Sequence, residues 1–105
     1  MRHDELSQPI QSELLTLVQQ LKTKSGSELS ALVRSPIKQT RSIGTHTLEF
    51  TAWAEETIEG HALAVFVDTW TKGRWFSSRR HMLGFILDEH GSIRDLSESE
   101  LWDYD

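Results

Sequence analysis

Ile10, Leu14, Leu17, Val18 and Leu21 recur at steps of three and four residues with Gln, Ser, Glu and Lys between them, a spacing that predicts an amphipathic helix over residues 9–24. Pro9 suits the first turn of such a helix, where its missing N–H is harmless. Lys22 and Lys24 complement the dipole in the last turn, and Gly26 is placed to end the helix in a left-handed conformation. Ser27 is then the expected cap of a short second helix over residues 28–34, which buries Leu29, Leu32 and Val33 and stops before Pro36. Residues 37–45 are polar and without period, and read as a surface connection. From His46 the period changes to two, and the runs 46–54, 61–70 and 81–88 read as strands rich in aromatic and branched residues.

A one-residue slip between strands turns every side chain over, so apolar matching selects a register. Setting Ala52 opposite Leu63 brings Phe50 to Val65 and Leu48 to Val67, with residues 55–60 as the turn. On the other side Leu63 meets Leu87, Val65 meets Phe85 and Val67 meets Leu83, which leaves residues 71–79 as a loop longer than most hairpin connections. Asp88 to Gly91 reads as a turn, Ile93 opens a short returning segment, and Ser97-Glu-Ser-Glu100 matches a capping box that starts a brief helix through Leu101 and Trp102. The predicted fold is α+β: an N-terminal helix, with a short second helix, packed on a three-stranded antiparallel β-meander and followed by a short C-terminal helix. At 105 residues the chain is expected to be a single domain over 1–105, with residues 1–8 a flexible N-terminus.

Composition narrows the class. Hydrophobic residues make up 37% and charged residues 26%, as in ordinary folded domains. The chain has no cysteine, which excludes disulfides, thiolate chemistry and the usual cysteine-rich zinc sites. The longest apolar run, Ala62 to Val67, is far shorter than the ~20 residues that cross a bilayer, so no membrane association is expected. The first residues show no apolar signal core, and the expected location is cytoplasmic.

Charge is blocked along the chain although the total is −5, from 11 Lys and Arg against 16 Asp and Glu. Residues 69–87 hold Lys72, Arg74, Arg79 and Arg80 with no acid, while residues 88–105 hold seven acids and one cation. Within the basic block, Trp75 and Phe76 lie among the cations. Trp and Arg dominate protein interfaces, and the same mixture suits phosphates and unpaired bases. The second face of the predicted sheet adds Trp53, Ala62, Ala64, Phe66, Trp70, Met82 and Ile86, which the short C-terminal helix, a second copy or a partner must cover. Phe66 opposite Gly84 suits an aromatic ring lying over a glycine.

Other chemistry is thinly represented. In the predicted register His46, Thr69 and His81 align across three strands, but roughly 10 Å separates the outer two at the backbone, and no metal site is expected. No serine sits in a strand-to-helix elbow, and the glycines are scattered singly, so neither a catalytic residue nor a cofactor is assigned. The order α, β, β, β, α is shared with double-stranded RNA binding domains, yet the positions through which those reach RNA hold Ser97-Glu-Ser-Glu100 and the acidic turn at 55–60. The sequence is therefore read as a binding module for a protein partner or for a second copy, through Lys72, Arg74, Trp75, Phe76, Arg79, Arg80, Trp53, Phe66 and Trp70. A nucleic-acid binder using the basic, aromatic loop ranks second and a small enzyme or ligand-pocket protein third.

Overall fold

The computed structural model describes residues 7–57, 62–72 and 78–102. Helix α1 (Ser7–Lys22) and short helix α2 (Gly26–Ala31) precede five strands: β1 (Ile37–Ile43), β2 (His46–Glu56), β3 (Ala62–Lys72), β4 (Ser78–Asp88) and β5 (Ile93–Asp95). Helix α3 (Glu98–Trp102) follows. The strands form one antiparallel sheet in chain order, β1-β2-β3-β4-β5, so the expected α+β meander is present but has five strands, not three.

The first correction is β1, whose residues were expected to be a surface connection. Lys38-Gln-Thr-Arg-Ser42 shows no apolar alternation because β1 is an edge strand held by backbone pairing, with only Ile43 buried. Gly44, at φ +60°, opens the two-residue turn that brings Ile43 opposite His46.

The second correction is the β2–β3 register. Ala52 faces Val67 and Phe50 faces Thr69, a four-residue displacement from the expected pairing that leaves every side chain on its expected face. The longer ladder sets Trp53 opposite Phe66 with ring centroids 5.1 Å apart. It also lets the buried Thr69 hydroxyl donate to the Glu49 carbonyl at 2.8 Å. Apolar matching does not see this second term, since it concerns satisfying a polar group rather than burying an apolar one.

The β3–β4 register is as expected: Leu63 to Leu87, Val65 to Phe85 and Val67 to Leu83. Pairing continues outward through Thr71 to Arg79 and Lys72 to Ser78, so four residues of the expected 71–79 loop belong to the ladder, and residues 73–77 of that expected loop lie outside the described residues. Backbone bonds extend a ladder past the last apolar pair, so loop length is no sign of function here.

The helices refine similarly. Helix α1 is shifted two residues toward the N-terminus at both ends. Helix α2 begins at Gly26, because Ser25, not Ser27, closes the capping box with Glu28: the Glu28 N–H donates to Ser25 Oγ at 3.2 Å, and the Ser25 N–H to the Glu28 carboxylate at 3.3 Å. Gly26 is thus the first helical residue rather than a left-handed end.

Helix α1 buries Ile10, Leu14, Leu17, Val18 and Leu21 against one face of the sheet, where Phe50, Ala54, Val65, Val67 and Phe85 meet them. Lys22 reaches from its last turn to Asp95 at 2.6 Å and lies 5.8 Å from the centre of the Phe85 ring. The opposite face carries a smaller core of Ala64, Phe66, Leu96 and Leu101, flanked by Trp53, Met82 and Ile86. Of the covers weighed for this face, the segment from β5 through α3 supplies one within the chain. The contribution expected of the Trp102 side chain lies outside the described residues.

The expected Ser97 capping box is present: the Ser97 N–H donates to Glu100 at 3.0 Å, and the Glu100 N–H returns to Ser97 Oγ at 3.3 Å. Arg94 holds the same carboxylate through two bonds of 3.0 Å and, with Ser97, lowers the Glu100 pKa from 4.5 to about 2. Replacing Ser97 by alanine is expected to lower stability by about 1 kcal/mol, because this cap fixes the helix that lays Leu101 on Phe66. An unchanged urea midpoint would show α3 to be dispensable to the second core.

Candidate functional site: an arginine between two tryptophans beside an open sheet edge

Residues at even positions of β3 and β4 share the α3 side of the sheet, so the pairing of Trp70 with Arg80 places Asp68, Trp70, Arg80 and Met82 together. Arg80 Nε donates to Asp68 Oδ2 at 2.8 Å. The two side chains are 17% and 8% exposed, so the pair is largely withdrawn from water. The guanidinium carbon lies 5.3 Å from the centre of the Trp53 ring and 5.6 Å from that of Trp70, both within cation–π range. Trp53 in turn stacks on Phe66. A buried carboxylate thus fixes an arginine, and the arginine and Phe66 fix two indoles.

The predicted binding residues fall into three groups. Trp53, Trp70 and Arg80 come together on the α3 side at one end of the sheet, with Trp70 54% exposed, and Arg79 stands exposed beside them on the α1 side. Phe66 belongs to the same cluster but is wholly buried, so its part is to hold Trp53 from beneath. Lys72 continues β3, and Arg74, Trp75 and Phe76 lie outside the described residues.

Three contributors were not among the binding residues assigned from the sequence. Asp68 is the partner that orients Arg80; its signal was present in the β3–β4 register, which sets the two on one face and diagonal to each other. Leu96 and Leu101 line a cleft of about 610 Å3 beside β4, together with Gln11, Trp70, Arg79 and Met82. A smaller cleft of about 150 Å3 lies between α1 and the β1–β2 side of the sheet, lined by Leu17, Leu21, Ile37 and Phe50.

His81 sits opposite Thr69 on the α1 side of β4, and the corrected β2 register removes His46 from the expected alignment by placing Phe50 there. Among the described residues, no three His, Asp or Glu side chains gather as a metal set. Burial, and secondarily the charge of Arg79, lower the His81 pKa below 6.5. The folded protein therefore takes up this proton less readily than the unfolded chain, and stability is expected to fall as pH drops below about 6.5. His81→Gln should flatten that part of the profile, measured as urea midpoints at about pH 7.5 and about pH 5. An equal acid loss in the variant would assign the effect to other groups.

No helix among the described residues is long and apolar enough to cross a membrane. No protein-family model matches the chain, and neither a curated protein nor a solved structure matches it.

Proposed function

We propose that the chain is a protein-interaction module whose contact surface is the Trp53–Arg80–Trp70 cluster together with Arg79 and the adjoining cleft. The observation that carries this reading is Trp70, a large apolar side chain left half in water yet held beside a guanidinium that Asp68 and Trp53 fix in place. Tryptophan and arginine are the residues that most often supply binding energy at interfaces. Fixing them in advance reduces the ordering cost that association otherwise bears. Lys72, Arg74, Trp75 and Phe76 follow Trp70 in the sequence and remain candidates for the same contact.

The test is affinity capture from native lysate, with and without nuclease, using the wild-type chain and Trp70→Ala in parallel. The reading predicts protein captured despite nuclease treatment and lost in the variant. Capture abolished by nuclease would favour the nucleic-acid reading. Capture of the same proteins by Trp70→Ala would remove this surface from consideration. Recovery of a second, tagged copy alone would identify the partner as the chain itself.

A further inference from the structure

Strand β4 spans Ser78–Asp88, whereas β5 spans Ile93–Asp95 and pairs only with Phe85, Ile86 and Leu87. The Asp88 N–H donates to the Ser92 carbonyl at 3.0 Å, and the Leu96 N–H to the Gly84 carbonyl at 3.0 Å. Antiparallel pairing alternates the direction of backbone groups, so the even-numbered residues of β4 turn theirs toward β5. Beyond Gly84 that edge continues through Met82 and Arg80, and among the described residues no strand pairs with it. Met82 consequently directs its N–H and C=O into the cleft of about 610 Å3. Gln11 of α1 lines one wall, and Leu96, Glu98 and Leu101 line the other.

An open strand edge is a template for another strand. Here it lies in a channel whose two sides differ. On the α3 side, Trp70 and Met82 offer apolar surface over the buried Leu96 and Leu101, with Arg80 and Glu98 beside them; on the α1 side stand Arg79, which is exposed, and His81, which is buried. Arg79 makes no ion pair with any described residue. A strand laid along β4 sends alternate side chains to these two sides.

We propose that the 78–83 edge of β4 takes up an extended acidic segment of a partner protein as an added strand, with acidic side chains beside Arg79 and an apolar side chain on Trp70, Met82 and Leu101. The proposal rests on the reading of this end of the sheet as a protein-binding surface, and specifies how the partner is held. A second copy joined edge to edge is disfavoured, because antiparallel self-pairing of this stretch crowds Arg79 and Arg80 of the two copies together, and like charges across a strand pair repel.

The experiment is a backbone-amide NMR titration of the full chain with four blocked peptides of about seven residues, a common strand length. One alternates aspartate with leucine and one lysine with leucine. The other two are aspartate–leucine peptides N-methylated at odd or at even amides, and therefore unable to donate along one edge or the other. The expected result is that the aspartate peptide binds, shifting and protecting the Met82 amide. The lysine peptide and one N-methylated set should bind about tenfold more weakly, while the other set binds normally. Arg79→Glu should reverse the preference between the aspartate and lysine peptides. Equal binding of both N-methylated sets, equal binding of the lysine peptide, or no binding by any peptide would overturn the strand-addition proposal. None of these outcomes touches the broader reading, which fails separately if Trp70→Ala captures the same proteins as the wild type.

Discussion

Truncating Phe85 to alanine is expected to lower stability by about 3–5 kcal/mol, the range for deleting a fully buried aromatic side chain. Phe85 is wholly inaccessible and lies opposite Val65 in the β3–β4 ladder and Asp95 in β5. It joins the core that holds Leu14, Leu17, Val18 and Leu21 of α1, and Lys22 lies over its ring. No small movement closes the resulting hole, because the ring is flanked by two paired strands and covered by a helix whose own apolar face is committed there. Denaturant midpoints at unchanged slope are the measurement. A loss below about 1 kcal/mol would contradict the placement of Phe85 at the centre of the core.

Arg80→Ala is the second large effect, with an expected loss of about 3 kcal/mol, toward the lower end of the range for breaking a buried ion pair because the guanidinium keeps some contact with water. Part of that loss arises from Asp68, whose carboxylate stays withdrawn from water and loses the 2.8 Å bond from Arg80 Nε. The remainder comes from Trp53 and Trp70, which lose the cation between them. Replacing both members of the pair by apolar residues, as Asp68→Leu with Arg80→Met, is expected to recover much of the stability, since a buried ion pair repays little more than the cost of taking its charges out of water. A double variant as unstable as the sum of the two single ones would show the pair to be uncoupled.

Parts of this architecture are legible in the sequence because burial leaves a period. Val65 and Phe85 are found opposite each other since both strands alternate, and one register sets apolar on apolar. Gly84 is legible too: Phe66 lies over it, and a Cβ built there would come within 2.8 Å of the Val65 carbonyl oxygen and 2.9 Å of the Phe66 ring. Strand β1 escapes because an edge strand pairs through its backbone and has little to bury; the turn at Gly44-Thr45 is its one local sign. The β2–β3 pairing escapes for another reason. An even displacement preserves both faces, so apolar matching is degenerate, and the hydroxyl of Thr69 distinguishes registers that the hydrophobic pattern treats alike.

The candidate site divides in the same way. Trp70, Arg79 and Arg80 stand out as an acid-free aromatic and cationic block, and the β3–β4 register carries Asp68 to Arg80 once both are placed on one face. The open stretch of β4 depends instead on relative strand length. The turn ending at Gly91 and the cap at Ser97 leave β5 no room to run beside more than a few residues of β4, so the remainder of that edge faces the cleft.

The most direct measurement of the central claim is site-specific photo-crosslinking in cells, with a benzophenone amino acid placed at Trp70 and, as a control, at Leu15, which is exposed on the outer face of α1. The account predicts a discrete protein adduct from position 70 that position 15 does not give and that Arg79→Glu diminishes. Adducts of equal yield and pattern at both positions, or adducts at position 70 to nucleic acid alone, would contradict it.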